Sequence, residues 1–376
     1  MTETFTTPVP GLILSVIMRN EARCIERCLT SVRHWVERIV VLDTGSTDDS
    51  VERARRAGAE VHQRPWPDSF AAARNQALDL AGDYRLALVL DADEWLESGG
   101  DALHAFASTA RDRGDAIGVI RIDSRFDQDG QIRIAPSWLS RVIPAGTRYT
   151  GRIHEQVSSP AHRQRLPVVI GHDGYEPAQM AGKQGRNRCL LEAELAAAPN
   201  DAYLRYQLGK DAAINGDWAI ATASFTAALQ WADPSAPWRH DLVVRALNSL
   251  RKARQFRSAL ELVRSEQARW DDSPDFHFTI GDLALDCAVA HPELAESTFF
   301  PMIEQHWQRA LAIGDRPELD GSVIGHGSHL AAHNLAVFYR CIGDADECRR
   351  YEAMAARLRE QAVVSLRKPR HPADRR

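Results

Sequence analysis

Short apolar runs, each closed by polar residues, divide the first part of this chain. Residues 12–18, 39–42 and 86–90 are almost wholly apolar, and a shorter strand is predicted over Glu60-Val61-His62. A run of this length is typical of a strand that is buried on both faces. Helix-like stretches separate the runs, and the connections are short. The alternation therefore predicts an α/β domain with a mostly parallel sheet.

Polar residues mark where the helices begin. Asn20 is a good N-cap with Glu21 in the first turn, so we expect a helix from there to about His34. The segment 43–48 is a tight Gly-Ser turn, and we expect it to lead into a helix capped near Thr47 or Asp48. Another helix is predicted over 71–81, and further strands over 116–122, 131–134, 138–142 and 168–170.

Acidic residues follow two of the predicted strands. Asp43 closes the second strand, and Asp91 and Asp93 follow the fourth. Ligands bind at the carboxyl ends of strands in such sheets, and side chains i and i+2 of an extended segment share one side. Two carboxylates there repel by roughly 4 kcal/mol at 4 Å, and Mg²⁺ or Mn²⁺ would relieve this while admitting a diphosphate. The alternative is that the acids only cap the next helix.

Six segments, taken in chain order, carry a resemblance to a known family. The segments are Met18–Glu21, Val41–Asp48, Trp66–Asn75, Leu88–Glu94, Gly151–Gln156 and His172–Tyr175. Together they resemble the family 2 glycosyltransferases with the nucleotide-diphospho-sugar transferase (GT-A, Rossmann-like) fold. They are most similar to the bacterial subgroup with C-terminal tetratricopeptide repeats, which includes the S-glycosyltransferases of bacteriocin clusters. Thr44 departs from the pattern, since the broader family often has a second Asp there.

The resemblance implies a metal-dependent enzyme that transfers a hexosyl group, with inversion, from a nucleotide-diphosphate sugar. The expected nucleotide is UDP and the expected cofactor is Mn²⁺ or Mg²⁺. By resemblance, Asp43 contacts the nucleobase, Asp91 the ribose and Asp93 the metal. Arg74 is expected to touch the base or the phosphates, or else to be a surface arginine.

The later motifs supply candidates for catalysis and for the metal shell. An inverting transfer to a hydroxyl needs a base within hydrogen-bond reach of the acceptor, and Glu155 is the leading candidate. His154 either orients Glu155, contacts the diphosphate or is itself the base. His172 fits the late histidine with which such enzymes often complete the metal shell, or it packs as a loop residue. Asn20 and Glu21, in the first-strand segment, are expected to border the nucleotide sugar.

The character of the sequence changes after Pro177, where strand patterns stop and Ala, Leu and Glu dominate. Residues 201–234 span the 34-residue length of a tetratricopeptide repeat. Leu208-Gly209, Ala221, Phe225 and Ala228 fall at its packing positions, and weaker units follow near 240, 274 and 329. We expect a glycosyltransferase domain over 10–180, a bridging helix over 181–200, helical repeats over 201–362 and a disordered basic tail over 363–376.

Composition excludes several classes of partner. The net charge is −5 and the isoelectric point is near 6.3, so no basic field favours nucleic acid. No apolar run approaches the ~20 residues of a membrane span, and the first residues lack a signal-peptide pattern. The six Cys include no CxxC pair, which is typical of reduced thiols. These features predict a cytoplasmic protein with no nucleic-acid partner and no membrane span.

Two roles are open for the helical repeats. A stacked repeat offers a concave surface that could hold a peptide, a protein or a glycan acceptor. It could instead join two copies in a homodimer or support the catalytic domain. A competing hypothesis is a catalytically inactive scaffold that binds nucleotide and other proteins. A nucleotidyltransferase is disfavoured, because residues 18–21 contain no Gly for a phosphate loop.

Overall fold

The structure is a computed structural model that describes residues 7–113, 116–128, 131–173 and 185–367. Gly174 and Tyr175 of the last motif, residues 181–184 of the expected bridging helix and residues 368–376 of the expected tail lie outside the described residues. The chain forms two compact units. One comprises residues 1–132 and 137–190, and the other comprises residues 133–136 and 191–376. The domain boundaries expected from sequence remain predictions.

Most strands of the first unit join one mixed sheet. The strand order is β3-β2-β1-β4-β7-β6-β10-β5, and β8 and β9 form a separate antiparallel pair. The strands are β1 (Val9–Met18), β2 (Val36–Asp43), β3 (Glu60–Gln63), β4 (Leu86–Asp91), β5 (Glu94–Ser98), β6 (Ile117–Gln128), β7 (Gln131–Pro144), β8 (Arg148–Thr150), β9 (Gln156–Ser158) and β10 (Arg163–His172).

Helices connect the parallel strands, as the alternation predicts. Leu14 on β1 and Leu88 on β4 belong to one core cluster with Ile25 and Leu29 of the first helix. The other side of the sheet buries Ile13 with Leu78 of the third helix, so both faces are covered. The helices are α1 (Ile25–Val32), α2 (Ser50–Arg56), α3 (Phe70–Leu80) and α4 (Gly100–Arg113). These features confirm the predicted α/β class.

The register of three parallel strands places the acidic residues at one edge. β1 lies between β2 and β4 and runs parallel to both. Ile17 pairs with Leu42 on one side and with Asp91 on the other, and Met18 pairs with Asp43. Asp43 and Asp91 therefore end neighbouring parallel strands on either side of β1.

Three local predictions were wrong. The first helix begins at Ile25 with Cys24 as its N-cap, so Asn20 does not cap it. Asn20 instead has φ +57°, a left-handed backbone that Asn tolerates better than most residues. The strands predicted over 131–134 and 138–142 are one strand, β7. β5 was not predicted, because Glu94 and Glu97 interrupt its apolar pattern.

Apart from residues 133–136, which belong to β7, the described residues of the second unit form helices and their connections. Short connections join α6 to α7, α8 to α9 and α12 to α13, which is typical of helical hairpins. Residues 292–294 form a 3₁₀ helix and residues 295–299 a π-helical turn. The helices are α5 (Arg186–Ala197), α6 (Ala202–Ile214), α7 (Trp218–Trp231), α8 (Arg239–Lys252), α9 (Phe256–Trp270), α10 (Pro274–Ala290), α11 (Phe300–Ile313), α12 (His329–Ile342) and α13 (Ala345–Arg367).

The last helix extends past the predicted end of the repeats. α13 continues through Arg367, so residues 363–367 are helical, although a disordered tail was expected from 363. None of the helices within the described ranges combines the length and apolar character needed to cross a membrane.

In two pairs of packed helices, a glycine on one helix faces an aromatic ring on the other. A Cβ added at Gly209 of α6 would lie 2.5 Å from the ring of Phe225 on α7. A Cβ added at Gly281 of α10 would lie 2.4 Å from the ring of Trp307 on α11. Phe225 and Trp307 are almost fully buried. The close approach of the paired helices therefore depends on the absence of a side chain at Gly209 and Gly281.

We expect Gly281→Ala to destabilise the helical unit, because the new methyl group would overlap the indole of Trp307. Overpacking of this kind costs about 1–3 kcal/mol, and the intrinsic helix preference of Ala offsets only part of it. Urea unfolding followed by circular dichroism measures the change. Ala223→Ser, at an exposed position of α7, is the control and should stay within about 0.5 kcal/mol of wild type. A stabilised Gly281→Ala protein would contradict the close packing.

Candidate functional site

Asp43 lies at the end of β2 and is fully buried. Its carboxylate accepts hydrogen bonds from the backbone N–H of Ser46, at 3.1 Å to Oδ1, and from the Gln63 amide, at 3.3 Å to Oδ2. Asp43, the acid predicted to contact a nucleobase, thus stabilises the Gly-Ser turn that follows it. A contact with a ligand at this position would involve the turn that Asp43 shapes.

Asn20 and Glu21 brace the same turn from the end of β1. The Asn20 backbone N–H donates to Ser46 Oγ at 2.8 Å, and Asn20 Oδ1 accepts from the Thr47 N–H at 2.8 Å. The Glu21 N–H donates to Ser50 Oγ at 2.7 Å. The two motif residues therefore join β1 to the turn after β2, next to Asp43.

Asp91 lies between two buried arginines. Arg74 Nη2 donates to Asp91 Oδ1 at 2.6 Å, and Arg141 Nη2 donates to Asp91 Oδ2 at 2.9 Å. Burial by itself would raise the pKa of Asp91, but the two guanidinium groups hold it far below its ordinary value. The carboxylate is thus ionised, and its side chain keeps 38% of its surface exposed. Arg74 is not the surface arginine that the sequence left open.

Glu94 belongs to the same cluster and was missed by the sequence analysis. Glu94 Oε1 accepts from Arg141 Nη2 at 2.8 Å, and Oε2 accepts from the Asp91 backbone N–H at 2.8 Å. Burial raises the pKa of Glu94 to about 7, despite the opposing charge of Arg141. Its position directly after Asp91-Ala92-Asp93 was a usable signal, whereas nothing in the sequence around Arg141 marked that residue.

Asp93 and His172 lie together beside this cluster. His172 Nε2 is 3.6 Å from Asp93 Oδ2, and His172 Nδ1 is 3.1 Å from Ser124 Oγ. Burial opposes a charge on the His172 ring, but the hydrogen bond and charge of Asp93 outweigh it and raise the pKa of His172. The sequence placed these two residues in one metal site, and the fold brings them into contact.

The donor set of Asp93 and His172 fits a divalent cation. One carboxylate oxygen and one imidazole nitrogen, with Ser124 orienting the far ring nitrogen, are a common arrangement. The described residues contain no group of three or more His, Cys, Asp or Glu suited to a metal. A cation here would therefore complete its shell with water and substrate oxygens, as Mg²⁺ commonly does.

Asp173, the residue that follows His172, is held by two arginines. Its carboxylate accepts from both Arg23 and Arg27 of the α1 region, at 3.0 Å and 2.5 Å to the nearest guanidinium nitrogens. The Arg27 guanidinium also lies 3.8 Å from the centroid of the Trp95 ring. These contacts secure the end of β10, and with it the position of His172.

Two of the motifs hold each other. Asn75 on α3 makes two hydrogen bonds with the Tyr149 backbone, donating at 3.0 Å and accepting at 2.9 Å. The Phe70 N–H donates to the Arg152 carbonyl at 2.7 Å, and Arg74 Nε donates to Glu155 Oε1. The segment 66–75 therefore packs against and holds the 149–155 loop, which begins with the last residues of β8.

Glu155 and His154 differ in their surroundings. The Glu155 side chain is 10% exposed and faces the Arg74 guanidinium, which it shares with Asp91. His154 is exposed and has φ +50°. In the described residues, three of the four non-glycine residues with positive φ are Asn20, Asp68 and His154, each in a motif. Such backbone strain is often found at functional sites.

Residues 14–164 match the family model described as Glycosyl transferase family 2. A TPR repeat-containing protein of Synechococcus elongatus is 34% identical over 248 residues, 61% of this chain and 59% of that protein. The SPbeta prophage-derived glycosyltransferase SunS of Bacillus subtilis is 24% identical over 220 residues, 54% of this chain and 49% of that protein. The crystal structure of MamA aligns with 50% of this chain at 15% identity and a TM-score of 0.37.

The family match and the two relatives confirm the resemblance that the six segments carried. The family match lies in the first unit, and its sheet agrees with the predicted GT-A class. The chain spans 49–59% of the length of the two curated relatives it matches here.

We expect Asn75→Ala to loosen the 149–155 loop, because the Tyr149 N–H and carbonyl would both lose their partner. Leaving part-buried backbone groups unpaired costs about 1–3 kcal/mol. Chemical denaturation measures the loss of stability. Asp79→Asn is the matched control, since its exposed ion pair with Arg148 joins the same two elements and such pairs contribute at most about 1 kcal/mol. Equal effects of both substitutions would contradict the role of Asn75.

Proposed function

We propose that this chain, whose residues 14–164 form a family 2 glycosyltransferase domain, is a metal-dependent inverting enzyme. It transfers a hexosyl group from a nucleotide-diphosphate sugar, with UDP as the proposed nucleotide, to an acceptor side chain or glycan. One observation carries the proposal. Asp91 and Asp93, Glu155, and His172 come from three distant segments, and contacts at one edge of the sheet bring them together.

The donor would bind along the ends of β1, β2 and β4. The turn shaped by Asp43 is the proposed position of the nucleobase, and the exposed part of Asp91 is the proposed contact with the ribose. Arg74 contacts Asp91 at this edge, but its proposed role is to hold Glu155 rather than to bind the donor or its phosphates. Because these residues make the edge acidic, a diphosphate approaches it favourably only together with a cation.

Asp93 and His172 are the proposed ligands of Mn²⁺ or Mg²⁺. When bound, the cation would neutralise charge on the diphosphate as the sugar is transferred. Ser124 fixes the ring of His172 through Nδ1, which leaves Nε2 directed at Asp93 and available to the ion. The protein thus supplies one oxygen and one nitrogen ligand.

Glu155 is the proposed general base. Its Oε1 accepts from Arg74, so Oε2 is the atom that would take the proton of the acceptor nucleophile. As that proton moves to Oε2, the nucleophile bonds to the sugar carbon and the bond from that carbon to the diphosphate oxygen breaks. His154 stays a candidate for the same role, although its side chain is exposed, whereas the buried Arg74 holds Glu155.

The helical unit is the proposed holder of a peptide or protein acceptor, with a glycan as the other acceptor class. Its hairpins are rigidly packed by the Gly209–Phe225 and Gly281–Trp307 contacts, and a rigid stack is suited to present a fixed surface. Pairing of two copies through this unit, in a cytoplasmic homodimer, is the competing proposal. Size-exclusion chromatography with light scattering distinguishes the two.

A thermal-shift screen of UDP-, GDP- and dTDP-sugars, with and without Mn²⁺, tests the proposed donor. A bound donor at 100 times its Kd should stabilise the fold by about 2.7 kcal/mol, and only in the presence of the metal. If no nucleotide sugar stabilises the protein and none is hydrolysed, the chain is a scaffold and not an enzyme.

We expect Asp93→Asn to abolish metal-dependent nucleotide binding, because the amide removes the charge that attracts the cation. Calorimetric titration with UDP, with and without Mn²⁺, measures this together with hydrolysis of the UDP-sugar found in the screen. Asp101→Asn, at an exposed position on α4, is the control and should bind as wild type does. Unchanged Mn²⁺-dependent binding in Asp93→Asn would remove Asp93 from the metal site.

We expect Glu155→Gln to lower the turnover number by about 10²–10⁴-fold, the usual contribution of a general base, with nucleotide affinity preserved. His154→Gln should lower turnover by less than about tenfold. Initial-rate kinetics and UDP titration of both variants provide the comparison. The assignment would be reversed if His154→Gln showed the larger loss of turnover, and a parallel loss of affinity in Glu155→Gln would indicate a structural role.

A further inference from the structure

Asp91 is the carboxylate that, among the residues the structure describes, both Arg74 and Arg141 contact. Arg74 comes from α3 and binds Oδ1, whereas Arg141 comes from β7 and binds Oδ2. Both arginine residues are nearly buried, at 4% and 6% exposure. Water is therefore a poor substitute for either contact.

The second partners of the two arginines differ. Arg74 donates its Nε–H to Glu155, the proposed base on the 149–155 loop. Arg141 donates to Glu94 at 2.8 Å, and Glu94 in turn accepts the Asp91 backbone N–H at 2.8 Å. One arginine thus joins Asp91 to the loop that carries the base. Arg141 instead joins the two ends of the segment 91–94, which contains Asp93.

The charges make both arginines necessary. Three carboxylates, of Asp91, Glu94 and Glu155, meet two guanidinium groups. A buried carboxylate without a partner is strongly unfavourable, so each arginine is held to two of them at once. Arg74 uses two nitrogens of its planar guanidinium, Nε for Glu155 and Nη2 for Asp91, so it sets the distance between these two groups. Arg141 contacts Asp91 and Glu94 through Nη2 alone.

We propose that Arg141 and Arg74 are positioning residues that divide the site at Asp91. Arg141 holds the segment 91–94 in the conformation that binds the donor and its cation. Arg74 holds Glu155 at a set distance from Asp91, and so aligns the base with the bound sugar. The proposal rests on the proposed function, and it assigns to Arg141 a role that no sequence motif indicated.

The two roles predict opposite kinetic effects. Arg141→Lys keeps the positive charge, but the lysine nitrogen ends one bond short of Nη2, the atom through which Arg141 contacts both Asp91 and Glu94. Donor binding should therefore weaken. Arg74→Lys loses the bridge from Asp91 to Glu155, so the base should be misplaced while the donor still binds. If either residue had a purely structural role, its substitution would reduce donor affinity and turnover together.

The experiment compares three full-length variants with wild type. Calorimetric titration with UDP and Mn²⁺ measures the Kd, and initial rates of hydrolysis of the UDP-sugar found in the screen give the turnover number. We expect Arg141→Lys to raise the Kd at least tenfold and to change turnover at saturation less than threefold. We expect Arg74→Lys to lower turnover at least tenfold and to change the Kd less than threefold.

Arg38→Lys is the matched control. Arg38 binds both oxygens of Glu60 at 2.8 and 2.7 Å in the same sheet, near the start of β2 and away from the acidic edge. Its replacement removes a guanidinium that binds one carboxylate through two nitrogens. The variant should have the Kd and turnover of wild type. Circular dichroism and thermal melting confirm that each variant is folded. Should Arg141→Lys not fold, Glu94→Gln combined with Arg141→Gln removes the two charges together and should also raise the Kd.

The outcomes separate the inference from the proposed function. If wild type binds UDP with Mn²⁺ and turns over, but both lysine variants change Kd and turnover in the same proportion, the division at Asp91 is overturned. Unchanged Kd in folded Arg141→Lys overturns the role of Arg141, and unchanged turnover in Arg74→Lys overturns that of Arg74. If wild type neither binds nor hydrolyses any nucleotide sugar, the proposed function itself fails and the inference fails with it.

Discussion

The acidic edge of the sheet depends on the pairing of carboxylates with buried guanidinium groups. Parallel pairing of β1 with β2 and β4 places Asp43 and Asp91 at one edge, and without partners such a concentration of charge would oppose folding. Asp43 is satisfied by the N–H groups of its own turn. Asp91 is satisfied by Arg74 and Arg141. The exposed part of the Asp91 side chain is therefore charged, and the two arginines fix its orientation.

The motifs of the first unit have structural meaning as pairs. The segment 66–75 carries Arg74 and Asn75, which hold the loop of Glu155 from two sides. The segment 18–21 braces the turn after β2. Each motif is thus half of a contact whose other half lies 26 or more residues away. In the helical unit, the glycine and aromatic positions are coupled in the same manner.

Sequence patterns predicted the parallel strands well and the rest of the first unit less well. Strands buried on both faces appear as apolar runs, so β1, β2 and β4 were found. β5 was missed because Glu94 and Glu97 break its pattern, and Glu94 is buried only because Arg141 reaches it. Asn20 was read as a helix cap by local preference, but its side chain serves the turn at Thr47 instead. The errors at Asn20 and at Glu94 concern side chains whose partners are distant in the chain.

The sequence by itself determined the α/β order, the placement of Asp91 and Asp93 after a buried strand, and the helical character of the second unit. These follow from local periodicity and from the geometry of parallel strands. Only the tertiary structure decided that Arg74 joins Asp91 to Glu155, that Arg141 and Glu94 belong to the site, and that Asp93 meets His172. The physical reason is that these contacts join residues 17 to 81 positions apart, and periodicity within a single element carries no information about them.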